Sequence, residues 1–192
     1  NGIDPNIYKN NNLERKKQIL AVANFKQQKG LKYLVEGFNK YIKDYNDTEY
    51  KLIIVGRGIL FEEITKLITN LNLSHRVRLV GQKNRDQLIE IYNQSEVFIL
   101  PSIWEGFAKV LLESMACGCK VISTNVDSSP LLLEDWGYMI NHSSSDEICQ
   151  SLHKVIIDKN YQFDKQFESV NKYTWNFIRN NYYNSIINSL SF

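Results

Sequence analysis

The 192-residue chain is 43% hydrophobic and 23% charged, the balance of a globular domain and not of a disordered or fibrous chain. Its 23 basic residues are scattered among 21 acidic ones for a net charge of +2, so no cationic stripe exists to neutralise a nucleic-acid backbone, and a nucleic-acid role is excluded. No apolar run approaches the roughly 20 residues that cross a bilayer, and Asn1-Gly2-Ile3-Asp4 is no secretory signal, so one cytoplasmic domain is expected.

The asparagine-rich opening, residues 1–17, reads as a mobile linker. Gln18 to Phe25 is then an apolar run of the kind that forms a strand buried on both faces, followed by a polar loop, Lys26 to Gly30. Leu31, Leu34, Val35, Phe38 and Tyr41 recur at three and four residues, one apolar face of a helix. The unit repeats: a strand over Tyr50 to Gly56, a helix over Leu60 to Leu71, a short strand over Val77 to Val80 and a helix from about Arg85 to Asn93. Val97 to Leu100 is another buried run, stopped by Pro101, which cannot donate to a ladder. A helix from about Phe107 to Ala116 and a strand over Cys119 to Ser123 follow. Strands alternating with helices mean right-handed βαβ crossovers, so the fold class is a Rossmann-like, doubly wound parallel α/β sheet over residues 18–172. Asp146 to Ile157 reads as a helix with Ser145 at its cap, and Trp175, Ile178, Tyr182 and Ile186 predict an amphipathic terminal helix within 173–192.

Ligands of an open α/β sheet bind beyond the carboxyl ends of its strands. Three segments qualify: Asn24 to Gly30, Gly56-Arg57-Gly58 and Pro101 to Glu113. The third runs from a buried strand into a helix, so unpaired amides and the positive end of the helix dipole face the crevice, with Gly106 removing a side chain that would keep ligand oxygens away. Glu105 stands at its mouth, and Glu113 lies about two turns into the expected helix. Spacing alone favours a plainer view, in which Glu105 is a surface carboxylate on the dipole and Glu113 a solvated helix position. Cys117, Cys119 and Cys149 are read as reduced packing residues and not as metal ligands, because no Cys-x-x-Cys pair or spaced histidines complete a shell.

The stretch Glu105 to Thr124, E-G-F-A-K-V-L-L-E-S-M-A-C-G-C-K-V-I-S-T, resembles the E-x7-E signature of family 4 of the retaining glycosyltransferases, which have the GT-B fold, and looks closest to members that build lipopolysaccharide and capsule. Asn1-Gly2-Ile3-Asp4 resembles the N-G-[IV]-D that closes the interdomain linker of that family, Lys29-Gly30 its K-G, Gly56-x-Gly58 its G-x-G, and Trp175 the tryptophan opening its last helix. The resemblance implies the C-terminal, donor-binding half of a GT-B enzyme, whose terminal helix crosses toward an N-terminal domain. Carried over by position, Glu105 contacts the donor sugar and Glu113 takes the ribose hydroxyls; a carboxylate can accept two hydroxyl bonds at once. Gly106, Phe107 and Ala108 offer amides to the diphosphate, and Lys29 adds positive charge. Gly56, Arg57 and Gly58 line the same crevice, and base recognition leans on the backbone near Gly81, Gln82 and Lys83.

The resemblance further implies transfer from a nucleoside-diphosphate sugar, a uridine diphosphate being favoured over a guanosine one, to a glycan or lipid-linked acceptor, without a metal or other cofactor. Because the acceptor wall comes from the other domain, this chain is expected to bind donor and transfer nothing. Cytoplasmic placement at the inner face of the membrane, with peripheral association of the full-length protein, is compatible with such acceptors.

Four positions depart from the family pattern. Asn24 replaces the arginine of R-x4-K-G, with Arg57 in the neighbouring loop. Lys120 replaces a proline, and Ser129-Pro130-Leu131-Leu132 replaces G-P-x-E, losing a glycine and an acid. A nicotinamide-binding domain is excluded because Phe61 stands where G-x-G-x-x-G needs its third glycine, and no P-loop motif is present. A binding or interaction module with a degenerate donor site is the remaining alternative, and it need not keep Glu113 at the crevice.

Overall fold

The structure is a computed structural model that describes residues 2–134 and 136–190. Asn1 of the linker motif and residues 191 and 192 of the expected terminal helix lie outside the described residues.

The strands are β1 (Lys16–Val22), β2 (Lys51–Val55), β3 (Val77–Leu79), β4 (Ser95–Leu100), β5 (Lys120–Thr124) and β6 (Tyr138–Ile140). They form one parallel sheet in the order β3-β2-β1-β4-β5-β6, the doubly wound order with its switch point between β1 and β4. Ile19, Leu20 and Ala21 of β1 and Val97, Phe98 and Ile99 of β4 are wholly buried, as strands covered on both faces must be.

The helices are α1 (Leu31–Asp44), α2 (Phe61–Asn70), α3 (Arg85–Gln94), α4 (Lys109–Ala116), α5 (Ser129–Leu133), α6 (Ser145–Ile157), α7 (Phe163–Lys172) and α8 (Trp175–Leu190). The predicted apolar stripe of α1, from Leu31 to Tyr41, is buried, and α1 packs on α2 and α6. On the other side α4 and α5 pack on α7. Here α1 meets α6 closely: a Cβ at Gly37 would lie 2.6 Å from Ile148. The cap of α6 is Ser144, one residue before the predicted Ser145, its hydroxyl accepting from the Glu147 amide. Three elements have no counterpart in the sequence expectations: α5, β6 and α7.

The opening segment, read from sequence as a mobile linker, is docked. Ile3 is 2% exposed, its amide donates to Tyr173 O (2.8 Å), and its carbonyl accepts from the Trp175 amide (3.2 Å). Arg15 donates to Ser95 O (2.6 Å) and Cys117 O (2.7 Å), fastening the approach to β1 across the sheet's lower edge. By contrast α8 lies mostly free of the body, with Trp175, Phe177, Tyr182 and Tyr183 exposed. No helix among the described residues is long and apolar enough to cross a membrane.

One close approach sets the top of the sheet. Gly30 has φ 62°, and a Cβ there would lie 2.0 Å from the Pro101 carbonyl oxygen, so the loop after β1 rests directly on the backbone after β4. Ile103 N–H donating to Gln28 O (2.7 Å) fixes the same contact. Gly30→Ala is expected to lower the unfolding free energy by about 3 kcal/mol or more, combining a left-handed alanine with a backbone clash. Urea denaturation showing a wild-type midpoint and slope would contradict this contact.

Candidate functional site

The loops that leave β1, β2, β3 and β4 surround a cleft of about 300 Å³ at the switch point. Val22, Ala23, Asn24 and Lys29 come from the first, Gly56 and Arg57 from the second, Gln82 and Lys83 from the third, and Glu105, Phe107, Lys109 and Val110 from the fourth. Among these lining residues are four cations, Lys29, Arg57, Lys83 and Lys109, against one carboxylate, Glu105. That balance favours an anionic ligand.

Lys29 and Glu105 are brought together: Lys29 Nζ lies 2.7 Å from Glu105 Oε1, with side chains 15% and 11% exposed. The same oxygen accepts from Ser102 Oγ at 2.7 Å. Glu105 is thus no solvated dipole partner. At this burial, deleting one partner would leave the other charge nearly alone, a cost of about 3–5 kcal/mol.

The strand-to-helix turn differs from expectation in one respect. Helix α4 starts at Lys109, two residues late, so Glu113 sits just over one turn in instead of two. The Gly106 and Phe107 amides meet no protein acceptor among the described residues, and a Cβ on Gly106 would meet nothing within 4 Å. The Ala108 amide, expected to face a ligand, instead donates to Ser128 Oγ (2.9 Å). Gly58 also serves a different end: at φ 155° its missing Cβ lets the β2 loop close on the Phe25 backbone, 2.6 Å from Phe25 O, and it does not line the cleft.

Glu113 is 5% exposed, behind the wall formed by Lys109 and Val110. Its Oε2 accepts from Tyr92 OH (3.1 Å), Lys109 Nζ lies 3.7 Å from Oε1, and the Tyr8 hydroxyl of the opening segment stands near it. Burial raises its pKa, opposed by the hydroxyls of Tyr8 and Tyr92 and by the charge of Lys109. Tyr92, Tyr8, Ser128 and Asp127 are residues that sequence reading does not find: the tyrosines reach the site from remote segments with no motif around them, and Asp127 and Ser128 stand just before the Ser129–Leu132 stretch that departs from G-P-x-E. Lys109 was findable, because its i,i+4 spacing to Glu113 puts both on one helix face.

Cys117, Cys119 and Cys149 are buried free thiols, and burial pushes the first two up to about 12. Among the described residues no three His, Cys, Asp or Glu side chains gather as ligands for a metal ion.

The sequence profile described as "Glycosyl transferases group 1" matches residues 3–173, nearly the whole chain. The chain belongs to this glycosyltransferase family. Among its relatives is the N-acetylgalactosamine-N,N'-diacetylbacillosaminyl-diphospho-undecaprenol 4-alpha-N-acetylgalactosaminyltransferase of Campylobacter jejuni, 30% identical over 145 residues, 74% of this chain and 38% of that protein. Among solved structures, an Anabaena protein, HepE, in complex with UDP and glucose superposes with a TM-score of 0.84 at 18% identity, over 98% of this chain and 56% of that one. The C-terminal domain of a group 1 family glycosyl transferase from Francisella tularensis, LpcC, superposes at 0.72 with 18% identity, over 94% of this chain and 98% of that one. The fold is therefore the C-terminal half of a GT-B fold, and the chain spans about two fifths of the length of the curated relatives it matches.

The Glu113 environment sets a pH dependence. Its folded pKa lies above the ordinary 4.5. The stability this contributes is complete below the unfolded value and is lost as pH rises through the folded one. Glu113→Gln, which cannot ionise, is therefore expected to gain stability relative to wild type between about pH 4 and pH 7. Parallel stability curves for the two proteins over that range would show that burial does not govern this carboxyl.

Proposed function

We propose that this chain is the donor-binding domain of a retaining, metal-independent glycosyltransferase, which moves a sugar from a nucleoside-diphosphate sugar to a glycan or lipid-linked acceptor. The observation that carries the reading is the cleft of about 300 Å³ at the switch point, lined by four cations and by Phe107, whose amide and that of the adjoining Gly106 have no protein acceptor among the described residues.

In this reading the diphosphate lies against the Gly106 and Phe107 amides, with Lys29, Arg57, Lys83 and Lys109 supplying charge. As the glycosidic bond to the diphosphate breaks, negative charge grows on the leaving oxygen, and fixed amides and ammonium groups stabilise it without reorganising. That is the role a divalent cation would otherwise fill. Glu105, held by Lys29 and Ser102, faces the donor sugar as an acceptor of hydroxyl bonds. Glu113, steadied by Tyr92, takes the ribose hydroxyls at the end of the cleft walled by Lys109. Arg57 occupies the cleft beside Asn24 and supplies the cation that the family's R-x4-K-G places at residue 24. Retention of configuration rests on the family resemblance.

Two similarities favour the finer assignments. The Anabaena neighbour was crystallised with UDP and glucose, which favours a uridine diphosphate over a guanosine one. The Campylobacter relative's name places a diphospho-undecaprenol carrier on its acceptor, which favours a lipid-linked acceptor and peripheral work at the cytoplasmic face of a membrane. Transfer needs the acceptor wall as well, so the 192 residues alone bind donor without turning it over.

Calorimetric titration with UDP, GDP and ADP is expected to show binding, UDP tightest. Glu113→Ala should weaken that binding by about 1–3 kcal/mol, the worth of charged hydrogen-bond partners. A folded protein that ignores all three nucleotides would sink the donor reading, an unchanged affinity in the variant would sink the role of Glu113, and sugar transfer by the chain alone would sink the division of labour.

A further inference from the structure

The segment from Ser102 to Ala108 carries Glu105 and the free amides, yet α4 has no side-chain cap of its own. It is held from outside, by β5 and the turn that follows. Thr124 Oγ1 donates to Ser102 O (2.6 Å), Asp127 Oδ2 accepts from the Glu105 amide (2.7 Å), and Ser128 Oγ accepts from the Ala108 amide (2.9 Å). These anchors bracket Gly106 and Phe107, whose amides alone in the stretch 105–108 are left without a protein acceptor among the described residues.

Asp127 makes its bond from an expensive conformation. Its φ is 46°, in the left-handed region that costs a non-glycine residue about 1–2 kcal/mol, although aspartate tolerates it better than most. It is exposed, so burial does not hold it there. What the conformation secures is the bond between its carboxylate and the Glu105 amide. The departure at Ser129-Pro130-Leu131-Leu132 acquires a meaning: the positive φ falls on Asp127 and not on Ser129, which opens α5.

We propose that Asp127 is a positioning residue for this site, acting with Ser128. It occupies the Glu105 amide, fixes the backbone so that the Glu105 carboxylate stays on Lys29 and Ser102, and leaves the Gly106 and Phe107 amides as the pair presented to the diphosphate. The inference rests on the donor-binding reading and deepens it.

Two substitutions separate positioning from mere folding. Asp127→Gly removes the conformational cost and the acceptor together, so the protein should fold with unchanged or higher stability. Asp127→Asn keeps an acceptor oxygen and tolerates the same φ. If Asp127 positions the site, Asp127→Gly weakens UDP binding about tenfold while Asp127→Asn stays within about threefold, one charged hydrogen bond being the difference. Ser128→Ala is expected to follow Asp127→Gly in direction. Hydrogen exchange at the Glu105 amide reads the brace without nucleotide: slow in wild type and Asp127→Asn, faster in Asp127→Gly. A folded Asp127→Gly protein that binds UDP as tightly as wild type, or a Glu105 amide that exchanges equally fast in all three, overturns the proposal. Failure of the wild type to bind any nucleoside diphosphate overturns the donor reading instead, and is told apart because Glu105 exchange would still separate the glycine variant from wild type.

Discussion

The site depends on an ion pair between side chains 76 residues apart, Lys29 and Glu105. They meet because β1 and β4 are neighbours whose crossovers run to opposite sides, so their two loops turn away from each other and open a crevice that no intervening strand can fill. Gly30 lets one loop rest on the carbonyl that ends β4, and without that approach the lysine would stand clear of the carboxylate. The pair is nearly dry, which makes it stiff as well as strong: Glu105 Oε1 already takes bonds from Lys29 and Ser102, leaving Oε2 as the oxygen with capacity to spare.

Around this pair the charges are divided by depth. Cations stand in the open cleft, where a solvated anion can meet them, whereas the second carboxylate, Glu113, sits behind Lys109 against two tyrosine hydroxyls. A carboxylate left in the open beside Glu105 would have opposed an anionic ligand. Placed one helical turn back it can still accept bonds, and its burial keeps its charge from dominating the cleft.

Much of the fold was legible because a strand covered on both faces has no polar alternation to disguise it. Ile19 to Ala21, Leu52 to Val55 and Val97 to Leu100 read as strands and are strands. The elements that escaped are short or weakly patterned: β6 has three residues, α5 has five, and α7 buries only Gln166, Ser169 and Val170. Reading Phe107 as helical failed for a local reason, since its carbonyl turns to accept from the Lys109 amide before the regular ladder begins. At the site, the residues that follow strands could be named from their position in the chain. The groups that orient them could not, since a hydroxyl at Tyr92 or a carboxylate at Asp127 acquires its partner only through the sheet order. The serine-rich loop looked like a defect because glycine was expected to supply the turn there. Aspartate supplies both the turn and a bond that glycine lacks.

The bridge between Ile3 and Thr174 joins the first described segment to the residue just before α8. Both ways out of the domain therefore share one pivot. A body attached through those two segments would be restrained at two neighbouring points of one backbone bridge. The same join reaches the site itself, since the ring of Tyr173, whose carbonyl takes the Ile3 amide, packs 5.8 Å from that of Phe107 in the cleft wall.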